Sequence, residues 1–157
     1  MSTRKKDDVR RRTVPPEKYA RFISGLEFQG LRLREAEAKL LANGVDHTRA
    51  INLDAGSEAA FEMRKGSLCI VRHDYRLTAK YQGGKQVLFR VRCGYEVLYR
   101  VTQPMTDALF KVFKDTSLVL HTWPFFREYV HSATGRMSIP PLDLPVVKTM
   151  PSQELTE

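Results

Sequence analysis

Cysteine is scarce in this sequence: Cys69 and Cys93 are the only two. Neither belongs to a CxxC pair or to a Cys/His ligand spacing, which excludes a disulfide framework and argues against a zinc site. No run of eighteen apolar residues is present to cross a bilayer as a helix. The charged N-terminus leads into no apolar stretch of the kind that marks a secretory signal. Gly83-Gly84 is too short for a phosphate cradle and lacks the following Lys-Ser/Thr of a P-loop. The four histidines (His47, His73, His121 and His131) are scattered without ligand spacing, and His73 falls on an apolar strand face where a hydrogen-bonded core histidine is expected. His131 and Ser132 lie near Glu128, but helix neighbours one apart do not face each other, so they make no nucleophile–base pair. No nucleophile elbow or second carboxylate completes such a set. These absences set the expectation of a cytoplasmic protein that is not an enzyme and uses no metal or cofactor.

What is present suffices for one domain with its own core, at 157 residues. The net charge is +8, and such an excess invites a nucleic-acid reading. Its distribution weakens that reading. Residues 1–21 hold eight cations against Asp7, Asp8 and Glu17, a net of +5, and the rest of the chain carries only +3. The excess is therefore expected in a disordered basic arm over residues 1–14, followed by a folded domain over 15–150 and a flexible tail over 151–157.

After Pro15-Pro16, the residues Tyr19, Phe22, Ile23 and Leu26 recur at helical spacing, predicting a helix over Glu17–Phe28. From Gln29 the period becomes two. Leu31 and Leu33 alternate with Arg32 and Arg34, then Ala36, Ala38 and Leu40 alternate with charged residues, so the apolar phase slips by one. A bulge near Arg34 absorbs such a slip. A weaker strand is predicted between Arg49 and Met63, broken by a turn at Asp54–Ser57. The clearest strands follow. Odd positions from Cys69 to Tyr81 and from Val87 to Val101 are almost all apolar, and their even partners are rich in arginine. Keeping odd positions opposite odd ones needs an odd-length loop. A three-residue loop over Gln82–Gly84 pairs Leu77 with Phe89 and Tyr75 with Val91, with Gly84 in the left-handed position. In that register Cys69 and Cys93 are offset by four residues, roughly 13 Å, too far for a disulfide.

Beyond Pro104, Leu109, Phe110 and Phe113 form a helical stripe with Thr106 and Asp107 as capping residues. Val119, Trp123, Phe126, Val130, Ala133 and Met137 then mark one face of a helix of about five turns. Pro124 lies near its start, and Pro140-Pro141 ends it. Helix, four strands and helices in that order give an α+β domain with helices packed on one side of an antiparallel sheet.

The segment Trp123–Val147 (WPFFREYVHSATGRMSIPPLDLPVV) resembles the C-terminal signature of the SecB family of protein-export chaperones. An aromatic-Pro-aromatic-x-Arg-Glu stretch opens a helix carrying a Ser/Thr and an Arg, and a Pro-x-Leu-x-Leu tail follows. Pro124, Phe125, Arg127, Glu128, Arg136, Pro140, Leu142 and Leu144 fill those places. The spellings at Arg127–Val130 and Thr134–Arg136 are similar to the SecB-like chaperones associated with toxin–antitoxin systems. The resemblance implies a SecB-like four-stranded antiparallel sheet with a long helix, assembled as a homotetramer (a dimer of dimers). It also implies ATP-independent holding of unfolded polypeptide, a preprotein or an antitoxin, in apolar grooves, with no cofactor.

Residues for such grooves are Leu31, Leu33, Phe110, Phe113, Trp123, Phe125, Phe126 and Tyr129, since these aromatics exceed what one small helix–sheet interface readily hides. The opposite sheet face reads as a basic, partner-facing surface of Arg72, Arg76, Arg90, Arg92 and Arg100. The secretion chaperone of the family engages the SecA motor through an acidic sheet surface, so this departure argues against SecA as a partner. The alternative reading is a nucleic-acid-binding module using the N-terminal arm and this Arg-rich face.

Overall fold

The computed structural model describes residues 14–147. The basic arm expected over 1–14 (Val14 apart) and the tail over 151–157 lie outside them. The elements run α1 (Pro16–Ser24), β1 (Leu26–Leu40), β2 (Ile51–Arg64), β3 (Leu68–Tyr81), β4 (Val87–Val101), α2 (Asp107–Phe113) and α3 (Ser117–Arg136). The four strands form one antiparallel sheet in the order β1-β4-β3-β2. The two hairpin strands are therefore central, and β1 and β2 form the edges. Residues 41–50 cross the end of the sheet from one edge to the other. Their backbone is tied down where Leu41 and Ala42 donate to the Leu88 carbonyl and Asp46 donates to the Tyr81 hydroxyl. The Arg49 guanidinium caps the Tyr81 ring at 3.9 Å, a cation–π contact.

Alternation decides which face is buried. In β3 the odd positions Cys69 to Ala79 are buried, and in β4 Val91, Cys93, Tyr95, Val97, Tyr99 and Val101 join them. The α2 and α3 helices lie over this inner face. Thr106 caps α2 by accepting from the Leu109 N–H, and Phe113 of α2 meets Phe22 of α1 edge-on, ring centres 6.5 Å apart. Burying each such side chain contributes about 2 kcal/mol.

Several sequence expectations need correction. The first helix ends at Ser24, four residues early, because Leu26–Phe28 pair with Tyr99–Val101 instead. The turn expected at Asp54–Ser57 is absent: β2 runs unbroken, with Asp54 to Ser57 paired to Thr78 through Tyr75. A full ladder outweighs local turn propensity there. The hairpin keeps odd opposite odd, but its register is shifted by two, pairing Leu77 with Val91 and Tyr75 with Cys93 across a five-residue connection. The left-handed glycine is Gly83 (φ 75°), not Gly84. Cys69 now lies opposite Tyr99 and Cys93 opposite Tyr75, six rungs apart, and both thiols are free and buried.

The bulge near Arg34 is present, between Leu33 and Glu35, and a second at Gln29 separates Phe28 from Gly30. Together they keep Phe28, Leu31, Leu33, Ala36, Ala38 and Leu40 on the inner face, opposite Tyr99, Val97, Tyr95, Cys93, Val91 and Phe89.

Candidate functional site

The helices cover the middle of the inner face and leave its margins open. α3 buries a stripe of Leu118, Thr122, Phe126, Val130, Ala133 and Thr134. Two threonines thus stand inside the contact, and Val119 and Trp123 are only partly buried. Phe126 stacks on Tyr75 with ring centres 4.7 Å apart and planes 12° apart. Beside it, Thr122 Oγ1 lies 2.8 Å from both His73 Nδ1 and the Tyr75 hydroxyl and donates to the Leu118 carbonyl. Burial holds His73 neutral, its pKa lowered to about 4, and pushes the Tyr75 hydroxyl up to about 12. Pro124 sits inside α3 and cannot donate, leaving the exposed Leu120 without its helical partner N–H.

Along the β1 margin the apolar cover is incomplete. On the inner row of β1, Phe28 and Leu33 are about half exposed (46% and 49%). On α3, Phe125 is 51% exposed and stands one turn beyond His121. Tyr95 and Tyr99 of β4 lie buried beneath them. Phe125 leans on Tyr95 (6.5 Å between ring centres), whose strand partner is Leu33, and His121 lies between Phe28 (5.3 Å) and Tyr99 (5.6 Å). The Tyr99 hydroxyl and His121 Nδ1 are 2.7 Å apart, and burial lowers the pKa of His121. Leu40 and Leu41 continue the exposed apolar row at the far end of β1. The outer edge of β1 has no strand partner among the described residues, so its backbone groups are open to a further strand.

On the β2 margin a second hollow, of about 190 Å³, opens between Ile51 and Leu53 of the edge strand and Ile139, Pro140 and Leu142 after α3. The segment 139–147 is strapped to α3. Trp123 Nε1 donates to the Pro145 carbonyl (2.7 Å), Arg127 Nε to the Leu144 carbonyl (2.6 Å), and the Leu142 N–H to Thr134 Oγ1 (2.9 Å). His131 Nδ1 sits 2.7 Å from the Asp143 carboxylate. This tethers His131 within the strap rather than beside a nucleophile.

The eight residues expected in client grooves divide cleanly. Phe110, Phe113 and Phe126 are buried in the chain's own core, Leu31, Trp123 and Tyr129 are partly buried, and Leu33 and Phe125 are open. Sequence reasoning missed Phe28, because it was assigned to the first helix, and missed Leu53, because β2 was expected to break there. On the outer face, Arg72, Arg76, Arg92 and Arg100 are exposed and Arg90 partly so. The middle strands carry Asp74 and Glu96 beside these arginines, and the edge strands add Glu27, Glu35 and Glu37 with Arg32, Arg34 and Lys39 from β1, and Asp54, Glu58 and Glu62 with Arg64 from β2. Among the described residues, no group of three or more His, Cys, Asp or Glu side chains could hold a metal ion, and no helix is long and apolar enough to cross a membrane.

A scan against protein-family models found no match, and none of the curated proteins matches. Solved structures do. A protein of unknown function from Streptococcus agalactiae is 7% identical, with a TM-score of 0.40 over 77% of this chain and 97% of that one. The Mycobacterium tuberculosis Rv1957 SecB-like chaperone, solved in complex with a ChAD peptide from the Rv1956 HigA1 antitoxin, is 21% identical over 83% of this chain and 96% of that one, with a TM-score of 0.73. Over that span the chain has the SecB-like fold.

Proposed function

We propose that this protein is an ATP-independent holding chaperone that keeps non-native polypeptide soluble on the open margins of its inner sheet face. The observation that carries the reading is the β1 margin, where Phe28, Leu33 and Phe125 remain about half exposed although the inner row of β4 beside them is buried. A monomer gains nothing by wetting a contiguous apolar row, so its cover must come from another chain. An extended client meets both kinds of contact it can use here: apolar hollows for alternate side chains, and an unpaired strand edge for its main chain. The likeness in fold to a chaperone solved with an antitoxin peptide supports an antitoxin-type client over general secretory traffic. So does the absence of an acidic sheet centre that SecA would need. Part of the apolar margin is assigned to assembly of the chain into a homotetramer in the cytoplasm.

The test is suppression of aggregation of a chemically denatured protein diluted into buffer without nucleotide. Stoichiometric protection is expected, and light scattering of the protein alone should give a mass four times that of the chain. A monomer that leaves aggregation unchanged contradicts the reading.

A further inference from the structure

The outer sheet face, remote from the margins assigned to clients, carries an arrangement of charge that folding alone does not explain. At its hairpin end, Lys39 of β1 stands directly opposite Arg90 of β4, and Arg92 stands directly opposite Arg76 of β3. Like charges in directly opposed positions disfavour a sheet. Lys80 of β3 lies in the same region, two residues from Thr78, the other partner of Arg90. Two of these five cations have partners, Lys39 with Glu37 (3.4 Å) and Arg76 with Glu58 (3.6 Å), and Glu35 and Asp74 line the same hollow as Arg76 and Arg92. Among the described residues, no carboxylate oxygen lies within 4.0 Å of Lys80, Arg90 or Arg92.

The rest of the face behaves differently. Glu96 draws in Arg32, Arg34 and Arg72, and the Arg32 hydrogen bond holds its carboxyl below the usual range. Arg100 stands opposite Glu27. One carboxylate gathers three arginines at that end of the face, whereas among the described residues Lys80, Arg90 and Arg92 at the hairpin end pair with none.

We propose that the unpaired cations Lys80, Arg90 and Arg92 form a docking site for an acidic, extended polypeptide segment. Side chains on one face of an extended chain repeat at about 7 Å, the same step that separates Arg90 from Arg92 along β4. A segment with carboxylates at alternate positions can therefore lay one on each arginine, where a guanidinium pairs a carboxylate through two hydrogen bonds. Nucleic acid fits less well. The rows of β3 and β4 on this face contain no aromatic side chain on which a base could stack. Two opposite faces are thus assigned to two different ligands, an apolar non-native chain and an acidic segment, and the second assignment stands whether or not the first does.

The experiment is a titration of the full chain with poly-glutamate, and separately with single-stranded poly-uridine, at low and at raised salt. Poly-glutamate should bind with an affinity that falls with salt, more tightly than the oligonucleotide. Combining Arg90→Glu with Arg92→Gln should weaken it by about tenfold or more, as expected when paired charges are removed. The variant should melt no lower than the parent, because Arg90→Glu replaces a repulsive pair with an attractive one opposite Lys39. Suppression of aggregation should be unchanged in it. Tighter binding of poly-uridine, unaltered poly-glutamate binding in the variant, or low-salt self-association that the variant abolishes would each overturn the assignment. The last two outcomes place the acidic segment elsewhere or give the face to a second copy of the chain.

Discussion

His73 of β3 and Thr122 of α3 are joined by a 2.8 Å hydrogen bond between Nδ1 and Oγ1, buried inside the helix–sheet contact. Thr122 also meets the Tyr75 hydroxyl, so one side chain satisfies two buried polar groups. Thr122→Val keeps the shape and strands both. The expected loss is about 1–3 kcal/mol in denaturant unfolding, whereas an exposed change such as Ser132→Ala should be close to neutral.

The same histidine makes stability depend on pH. In the unfolded chain His73 takes up a proton near its ordinary 6.5, but in the folded protein burial delays this to about 4. Between those values the unfolded state holds more protons. Stability is therefore greatest above pH 6.5 and declines as pH falls toward 4, by on the order of 3 kcal/mol. His121, also depressed by burial, adds in the same direction. Urea midpoints measured across this window should fall steadily, and His73→Asn should flatten the slope.

Both thiols are held unreactive. Cys69 and Cys93 are essentially inaccessible, and burial raises each to about 11, which suppresses the thiolate that reacts. A chromogenic disulfide reagent at pH 8 should label neither in the native protein and both after denaturation. Labelling at the global unfolding rate is expected; rapid native labelling would contradict the packing.

The fold and the site respond to different substitutions. Phe113→Ala removes a fully buried ring that packs against Tyr99 (5.3 Å between centres) and Phe22, and should cost about 3–5 kcal/mol. Leu33→Asp and Phe125→Asp alter half-exposed positions and should leave the melting temperature within a few degrees. They should nevertheless abolish most of the protection of a denatured client. Thermal melts run beside the aggregation assay separate the two effects.

Much of the architecture was legible in the sequence because burial and alternation coincide. Val87–Val101 is a strand with the bounds its odd apolar positions suggest, and the slip between Leu33 and Ala36 marks the bulge at Arg34. Where local signals oppose long-range pairing, the sequence misleads. Asp54-Ala55-Gly56-Ser57 has turn chemistry, yet Gly56 sits in the ladder opposite Arg76, where a Cβ would come within 2.9 Å of the guanidinium. The buried stripe of α3 was offset toward Val119 and Trp123 because Thr122 and Thr134 do not read as core residues. Both earn burial through hydrogen bonds, Thr134 by donating to the Val130 carbonyl and accepting from Leu142. The half-exposed row of Phe28 and Leu33 is legible only once β1 is seen to be an edge strand that the helices cover incompletely. The placing of Lys39 opposite Arg90 and of Arg76 opposite Arg92 likewise depends on cross-strand register, which the hairpin pattern alone puts two residues off.

On the proposed function, non-native chains are held on the open inner margins. Methyl NMR of the full chain, titrated with an unfolded polypeptide of neutral net charge, tests it most directly. Leu33, Leu40 and Leu53 report on the inner margins, and Ile70 and Leu98 report on the outer face. Saturable shifts or broadening are expected at the first three, with Ile70 and Leu98 unmoved. Perturbation confined to Ile70 and Leu98, or none at any of the five, would contradict it.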